Sequence, residues 1–363
     1  MKFFLVWLIM TVLLFSEETN TTTPVTFNGM PTLSSNPTSG TGVGLMGIMV
    51  YNVDPGSSPS QTMLMGQYTN TDSYNVFAIN KMFFDSDNYQ SNTVIGNIFN
   101  NSEFDLGIPF TPMEESANFD VTMFVAMQQI LYRVMKDVYM GGQLFYIGQK
   151  FNALNATGQG FLIASGIEDS SRVGLGATVS YDTRTKKEKF YPRDSQLVNL
   201  VFNDFPEEFG SEERFYNVSL NARHYQEGFK DDDVLALQLY YQYSSPDTPD
   251  GALSALGARN ILRGFSIGQY KARNMFAIQA EYRYQVTDTR FRVAAFGGYA
   301  NLSGGSKETA QGGSRDSNNG DYSSFGAGVR YTLQEEQGID YRIDIARTST
   351  DDYAVYASLN QAF

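Results

Sequence analysis

Cysteine is absent from the 363 residues, so the chain has no disulfide framework, no thiolate metal site and no thiol nucleophile. Tryptophan and histidine occur once each, as Trp7 and His224. Basic residues are outnumbered, 26 Lys and Arg against 39 Asp and Glu, which leaves a net charge of −13. That deficit argues against a nucleic-acid partner, because neutralising phosphates requires a basic surface. After the N-terminus no apolar run reaches the roughly 18 residues of a membrane-spanning helix. The Ala, Leu, Glu and Lys richness of helical proteins is missing too. In its place stand 23 Tyr, 27 Phe and 33 Gly, a composition of strands and turns.

The first residues set the compartment. Met1-Lys2 is followed by a mostly apolar stretch, Phe3 to Phe15, and then by Ser16-Glu17-Glu18. A basic start, a short apolar core and a polar flank describe a secretory signal peptide over 1–20, cleaved between Ser16 and Asn20. No Cys follows that core, so a lipoprotein anchor is excluded. The expected mature chain, 21–363, is exported.

Period-two alternation dominates what remains. From Met275 to Val286, Phe276, Ile278, Ala280, Tyr282, Tyr284 and Val286 share one face; Met275, Ala277, Gln279, Glu281, Arg283 and Gln285 share the other. Twelve alternating residues match a tilted strand crossing a bilayer. Ser323–Leu333 repeats the pattern, with Phe325, Ala327, Val329, Tyr331 and Leu333 opposite Ser324, Gly326, Gly328, Arg330 and Thr332. Val234–Tyr243, Phe215–Gln226 and Asp340–Ala346 alternate likewise. Soluble sandwiches also alternate, but their strands are typically about five or six residues. These are longer and carry Tyr and Phe on the apolar side, as membrane girdles do. The expected fold is all-β, a transmembrane antiparallel barrel with a polar lumen.

Such runs fall at 25–36, 41–52, 61–70, 73–84, 90–101, 119–133, 137–151 and 172–183, then at 196–205, 214–226, 233–244, 275–286, 291–302, 322–333, 339–347 and 353–363. They number sixteen, and a closed bacterial barrel requires an even count. Pro24, Pro31 and Pro37 crowd the first of them, and Pro favours sheet edges. With both termini on the inner side, the connections 102–118, 152–171, 245–274 and 303–321 face outward as the long ones. Those at 134–136, 287–290 and 334–338 are short inner turns, and 184–195 is a long inner one. The last strand places Tyr353, Val355, Ala357, Leu359 and Phe363 on one face, interrupted by Gln361. A strand ending in Phe looks like the signal by which outer-membrane barrels are recognised for assembly.

One outer connection carries a resemblance. It contains Ile261-Leu262-Arg263-Gly264-Phe265, then Gln269-Tyr270-Lys271-Ala272-Arg273-Asn274, and runs into Ala277-Ile278-Gln279-Ala280-Glu281-Tyr282-Arg283-Tyr284. This resembles the bacterial surface-antigen, or outer-membrane assembly-factor, superfamily. Its members include the central insertase of the barrel-assembly machinery and the two-partner secretion transporters. The resemblance implies a sixteen-stranded barrel whose sixth outer loop folds into the lumen with an R-G-F motif, here Leu262, Arg263, Gly264 and Phe265. Five strands follow that loop in the family and five follow it here. Tyr181-Asp182-Thr183-Arg184 with Pro192, and Asp340-Tyr341-Arg342-Ile343-Asp344, match further family positions: Asp182, Arg184, Arg342 and Asp344.

The departures are instructive. Family members carry periplasmic POTRA domains before the barrel; fewer than ten residues separate the expected cleavage site from the first strand here. The resemblance therefore implies a barrel-only member. In the family the loop Arg meets an Asp two strands on, in an F-x-D-x-G pattern, where this chain has Phe296-Gly297-Gly298-Tyr299-Ala300. Glu281 remains as the expected lumenal partner of Arg263, since an unpaired Arg in a partly dry lumen is costly.

Gly264-Phe265-Ser266-Ile267-Gly268 matches G-x-S-x-G, yet that pattern needs a strand–turn–helix and a His to take the proton. The sole His lies on the apolar face of a strand, so no enzymatic role is expected. Asp85-Ser86-Asp87-Asn88 and Asp231-Asp232-Asp233 have carboxylates suited to divalent cations, but read better as solvated turn acids. No metal or cofactor is expected. The function expected by resemblance is assistance in insertion, assembly or translocation of other outer-membrane or exported proteins. Its partners are then outer-membrane lipid and unfolded clients or a barrel-assembly complex. An accessory subunit and a passive pore are the alternatives.

Overall fold

The computed structural model describes residues 25–36, 40–107, 114–164, 168–266, 270–305, 318–335 and 338–363. The signal-peptide segment and most of 303–321 lie outside the described residues, as do Ile267, Gly268 and Gln269. Sixteen strands close into one antiparallel barrel. They are β1 (Thr26–Asn36), β2 (Gly40–Tyr51), β3 (Ser60–Thr69), β4 (Tyr74–Phe84), β5 (Tyr89–Gly107), β6 (Glu114–Met135), β7 (Val138–Ala153) and β8 (Ser170–Asp182). After these come β9 (Ser195–Phe205), β10 (Phe215–Glu227) and β11 (Val234–Ser244). Two short strands, β12 (Ser254–Ala255) and β13 (Lys271–Ala272), pair with each other inside the next connection. The barrel resumes with β14 (Asn274–Gln285), β15 (Phe291–Ser303), β16 (Gly320–Gln334), β17 (Ile339–Thr348) and β18 (Tyr353–Leu359). Each of the sixteen sequence runs coincides with one barrel strand. Among the described residues no helix is long and apolar enough to cross a membrane.

Aspartate explains the tight turns at one end. Lys136-Asp137 alone joins β6 to β7, with Asp137 at φ 60°, and Asp288 takes φ 56° between β14 and β15. Asp tolerates this left-handed region because its short side chain bonds locally. We call this the turn end, and the opposite one the loop end. At the loop end two expectations change. The connection 102–118 is largely strand: β5 and β6 run on as a hairpin to Gly107 and from Glu114. The connection 152–171 holds a helix, α1 (Ala156–Ala164), started by Asn155 Oδ1 accepting the Gly158 N–H at 2.6 Å and packed by Phe161 on Phe119.

The outer wall is apolar and exposed, with Leu45, Leu64, Val76, Leu237, Ile278, Phe325 and Ile345 among its residues. His224 belongs to it, in register with exposed Leu237. The inner wall corrects the expectation of a uniformly polar lumen. From β11 through β17 it carries buried charges, Glu281, Arg283, Arg330, Arg342 and Asp344, beside an apolar patch of Met275, Ala277, Ala300 and Leu302. From β2 to β7, Ile48, Met63, Ile79, Val94, Met127 and Phe145 are successive register partners and form one apolar row. Met46, Met65, Phe77, Gly96, Val125 and Ile147 form the row beside it, on the loop-end side. From β3 to β7 most of these side chains are only half-buried. The row on the turn-end side is polar: Gln61, Lys81, Asn92, Gln129 and Gln143. Strands apolar on both faces do not reveal from alternation alone which face points in.

Candidate functional site

The connection 245–273 enters the lumen and covers the β11–β17 side. Leu256, Ile261, Leu262 and Phe265 pack on Tyr240, Met275, Ala277, Ala300, Leu302 and Tyr322. Phe265 meets Tyr270 and Tyr322 edge-on, with ring centroids 5.5 and 5.7 Å apart. Two left-handed residues shape the motif, Leu262 at φ 51° and Gly264 at φ 114°. The Leu262 N–H donates to Gln279 Oε1 on β14 at 3.2 Å, and the Gly264 N–H donates to the Tyr356 hydroxyl on β18 at 3.0 Å. At Gly264 a Cβ would meet Thr348 Cγ2 at 2.7 Å, so both backbone and space ask for glycine.

Between these bonds the Arg263 side chain commits both terminal nitrogens. Its Nη2 lies 2.6 Å from Glu281 Oε2 and its Nη1 2.7 Å from Asp344 Oδ2. The guanidinium stacks on Phe296, 3.5 Å from the ring centroid, where the family's F-x-D-x-G pattern begins. The acid missing at Gly298 is thus replaced from β17. Three further arginines share the two carboxylates. Arg283 Nε is 2.8 Å from Glu281, Arg330 is 3.2 Å from Glu281 and 2.6 Å from Asp344, and Arg342 is 2.6 Å from Asp344. All six side chains are almost wholly shielded, from Arg263 at 4% to Glu281 at 0% exposure. Among the described residues the cluster has four guanidiniums and two carboxylates. Sequence reasoning missed Arg283 and Arg330 as members, although their inward-facing positions in the alternation were the available signal.

Asp182 and Arg184 lie elsewhere, at the turn end. Arg184 forks onto Asp182 with two 2.9 Å bonds, and the Lys189 ammonium adds a third at 2.9 Å. This holds the connection 183–194 inside the barrel mouth, where Phe190 packs with Met46, Ile48 and Val50, and Tyr191 with Tyr225 and Val234. Lys186 donates to the carbonyl of Gly56 across the same mouth.

Phe363 departs from expectation. The last strand ends at Leu359, and Asn360, at φ 61°, turns the chain inward. Gln361 donates to Asp340 at 2.5 Å, and the Phe363 main-chain oxygen accepts from Arg283 Nη2 at 2.7 Å. The Phe363 ring packs on Tyr191, Tyr225, Val234 and Ala236. It occupies the lumen rather than the outer face, because Gln361 breaks the alternation and the arginine cluster offers the main chain a donor.

Ser266 is buried within the loop while His224 is on the outer wall, so the two are not brought together. Asp87 and Asp233 are not solvated as expected: Asp87 accepts from the Ser58 N–H and hydroxyl at 2.6 Å each, and Asp233 from the Tyr282 hydroxyl at 2.6 Å. Among the described residues no group of three or more His, Asp or Glu is placed to hold a metal.

The barrel closes where β1 meets β18. Among the described residues this junction has two register pairs, Ser34↔Tyr356 and Ser35↔Val355, while β1 and β2 share eleven. Nearer the turn end the strands part, and the Tyr341 hydroxyl donates across to the Pro31 carbonyl at 3.1 Å.

Solved structures share this architecture. BamA from Haemophilus ducreyi lacking POTRA domains 1–3 superposes with a TM-score of 0.55 at 13% identity, over 93% of this chain and 70% of that one. The likeness is to the barrel of that protein. CdiB from Escherichia coli gives 0.58 at 13% identity, over 93% and 68%. CdiB from Acinetobacter baumannii gives 0.59 at 11% identity, over 92% of this chain and 59% of that protein, less than two thirds of its length. No protein-family model and no curated sequence matches the chain. At these identities the likeness is one of fold.

Proposed function

We propose that this barrel sits in a bacterial outer membrane and assists insertion or translocation of other outer-membrane or exported proteins. The observation that carries the reading is the two-pair junction of β1 and β18. A strand edge that is barely paired presents N–H and C=O groups to an incoming strand, which adds to the sheet by main-chain hydrogen bonding. The loop motif reinforces the reading, because Gly264 and Arg263 grip β18 and β17, the strands that border the junction. The apolar outer wall, the signal-peptide pattern and the shared fold support the outer-membrane part of this reading.

The test exploits the lack of cysteine. Ser35→Cys and Val355→Cys, a register pair of the junction, are introduced together and the protein is reconstituted in liposomes, where folding of a urea-unfolded barrel client is followed. The reduced double variant accelerates client folding over empty liposomes; oxidation, which locks the junction, removes the acceleration and reductant restores it. Well-folded protein that gives no acceleration, or acceleration indifferent to the lock, rejects the reading and favours an accessory subunit or a pore.

A further inference from the structure

Positive charge is concentrated in the lumen of a chain whose net charge is −13. At the turn end, Arg184 and Lys189 share the single carboxylate of Asp182. Lys81 of β4 comes within electrostatic reach of Asp182 from another wall, and Arg223 of β10 lies in the same lateral row as Asp182, with Leu197 between them. Four cations thus gather with two acids, since Asp87 also faces Lys189. Among the described residues neither Lys81 nor Arg223 has an ion pair, and Arg223 Nε has no hydrogen-bond acceptor. Both keep partial exposure to the lumen. Shielded cations without counter-charge are costly, so such a surplus is the mark of a site for an anion.

What adjoins these cations narrows the class. Lys81 stands in the polar row, and the apolar rows begin with its same-face neighbour Ile79. Ile79 and Phe77 continue sideways into Val94, Met127 and Ile147 without a polar interruption. From Lys81 to Phe77 a strand advances about 13 Å, close to the roughly 15 Å that the chains of one bilayer leaflet occupy. We propose that the lumen binds a phosphate-headed acyl lipid, with its head between Lys81 and Arg223 and its chain along the apolar rows. A phosphate monoester fits better than a carboxylate, since the surplus of two positive charges, four cations against Asp182 and Asp87, is matched more closely by nearly two negative ones than by one.

The probe is oleoyl lysophosphatidate, titrated into the full-length barrel in a neutral detergent and counted by native mass spectrometry. Oleate, oleoyl lysophosphatidylcholine and inorganic phosphate are run beside it. One lysophosphatidate binds per barrel, at least about tenfold more tightly than oleate or the zwitterionic lysolipid. Lys81→Gln with Arg223→Gln abolishes that preference. Ile79→Asn with Val94→Asn weakens binding while the barrel still shows the heat-modifiable migration of a folded protein. Equal binding of all three amphiphiles, or binding indifferent to the lumenal variants, places the lipid on the outer wall and overturns the proposal. Oleate binding as well as lysophosphatidate overturns the phosphate assignment. Inorganic phosphate competing at equal strength leaves a simple anion site and overturns the lipid. No binding overturns all of it.

Discussion

Arg263 holds Glu281 with one nitrogen at 2.6 Å and Asp344 with another at 2.7 Å, and so ties the lumenal loop to two strands that are not neighbours. β14 and β17 are separated in the sheet by β15 and β16, and one guanidinium spans the gap from inside. Replacing Arg263 by Ala frees the loop and leaves two carboxylates with less compensation. The expected result is faster proteolysis within 245–273 while the barrel itself stays intact. Arg263→Lys does not restore protection, because a single ammonium cannot make two diverging bonds and stack on Phe296. Digestion rates of the three proteins side by side decide the matter.

Glu281 is the point on which three guanidiniums converge. Its exchange for Gln leaves the surrounding arginines under-compensated in a dry site, at a cost of about 3 kcal/mol or more. Removing one guanidinium as well, with Arg283→Met, recovers part of that loss. Denaturant midpoints for the two single variants and the double variant give the coupling directly. Additive losses would contradict a shared cluster.

At Gly264 both the backbone and the neighbourhood resist a side chain. Gly264→Ala is expected to weaken loop docking by roughly 1–3 kcal/mol. Adding Thr348→Ser removes the methyl group that a new Cβ would meet but leaves the left-handed backbone. It should therefore rescue only part of the effect, read as loop protection from protease.

The inward-turned end makes a separate forecast. Phe363→Ala empties space between Tyr191, Tyr225 and Val234 and destabilises the turn end by about 3 kcal/mol. Phe363→Leu should cost much less. Measured unfolding midpoints that do not separate these two variants would mean that the ring contributes little packing.

The strand plan was legible because period two survives in β10, β11 and β14 to β17. Met275–Val286 announces both its faces, and Glu281 and Arg283 fall where the lumen lies. The same alternation pointed Asp344 and Arg330 inward, but no pattern of spacing tells which inward charges meet, since β14, β16 and β17 come together only through barrel closure. Phe363 misled because one apolar residue after Gln361 reads equally well as strand or as a turned end; the left-handed Asn360 decides it. The β5–β6 hairpin exceeded its expected length because polar residues such as Ser102, Glu103 and Asn118, which read as loop, continue the pairing beyond the membrane-spanning length. The apolar inner belt stayed hidden for a related reason. Ile79 and Val94 face in while Val76 and Ile95 face out, so hydropathy could not tell inside from outside.

The hydrogen bond from Gly264 to Tyr356 gives the barrel a mechanical character. Sixteen strands form a hoop with one clasp, and the loop is fastened to the strand beside that clasp. A load applied to the loop is delivered to β14, through Gln279 and Glu281, and to β17 and β18 beside the clasp. The loop is then a pull-cord, and the hoop fails at its clasp while β2 to β16 keep their ladders.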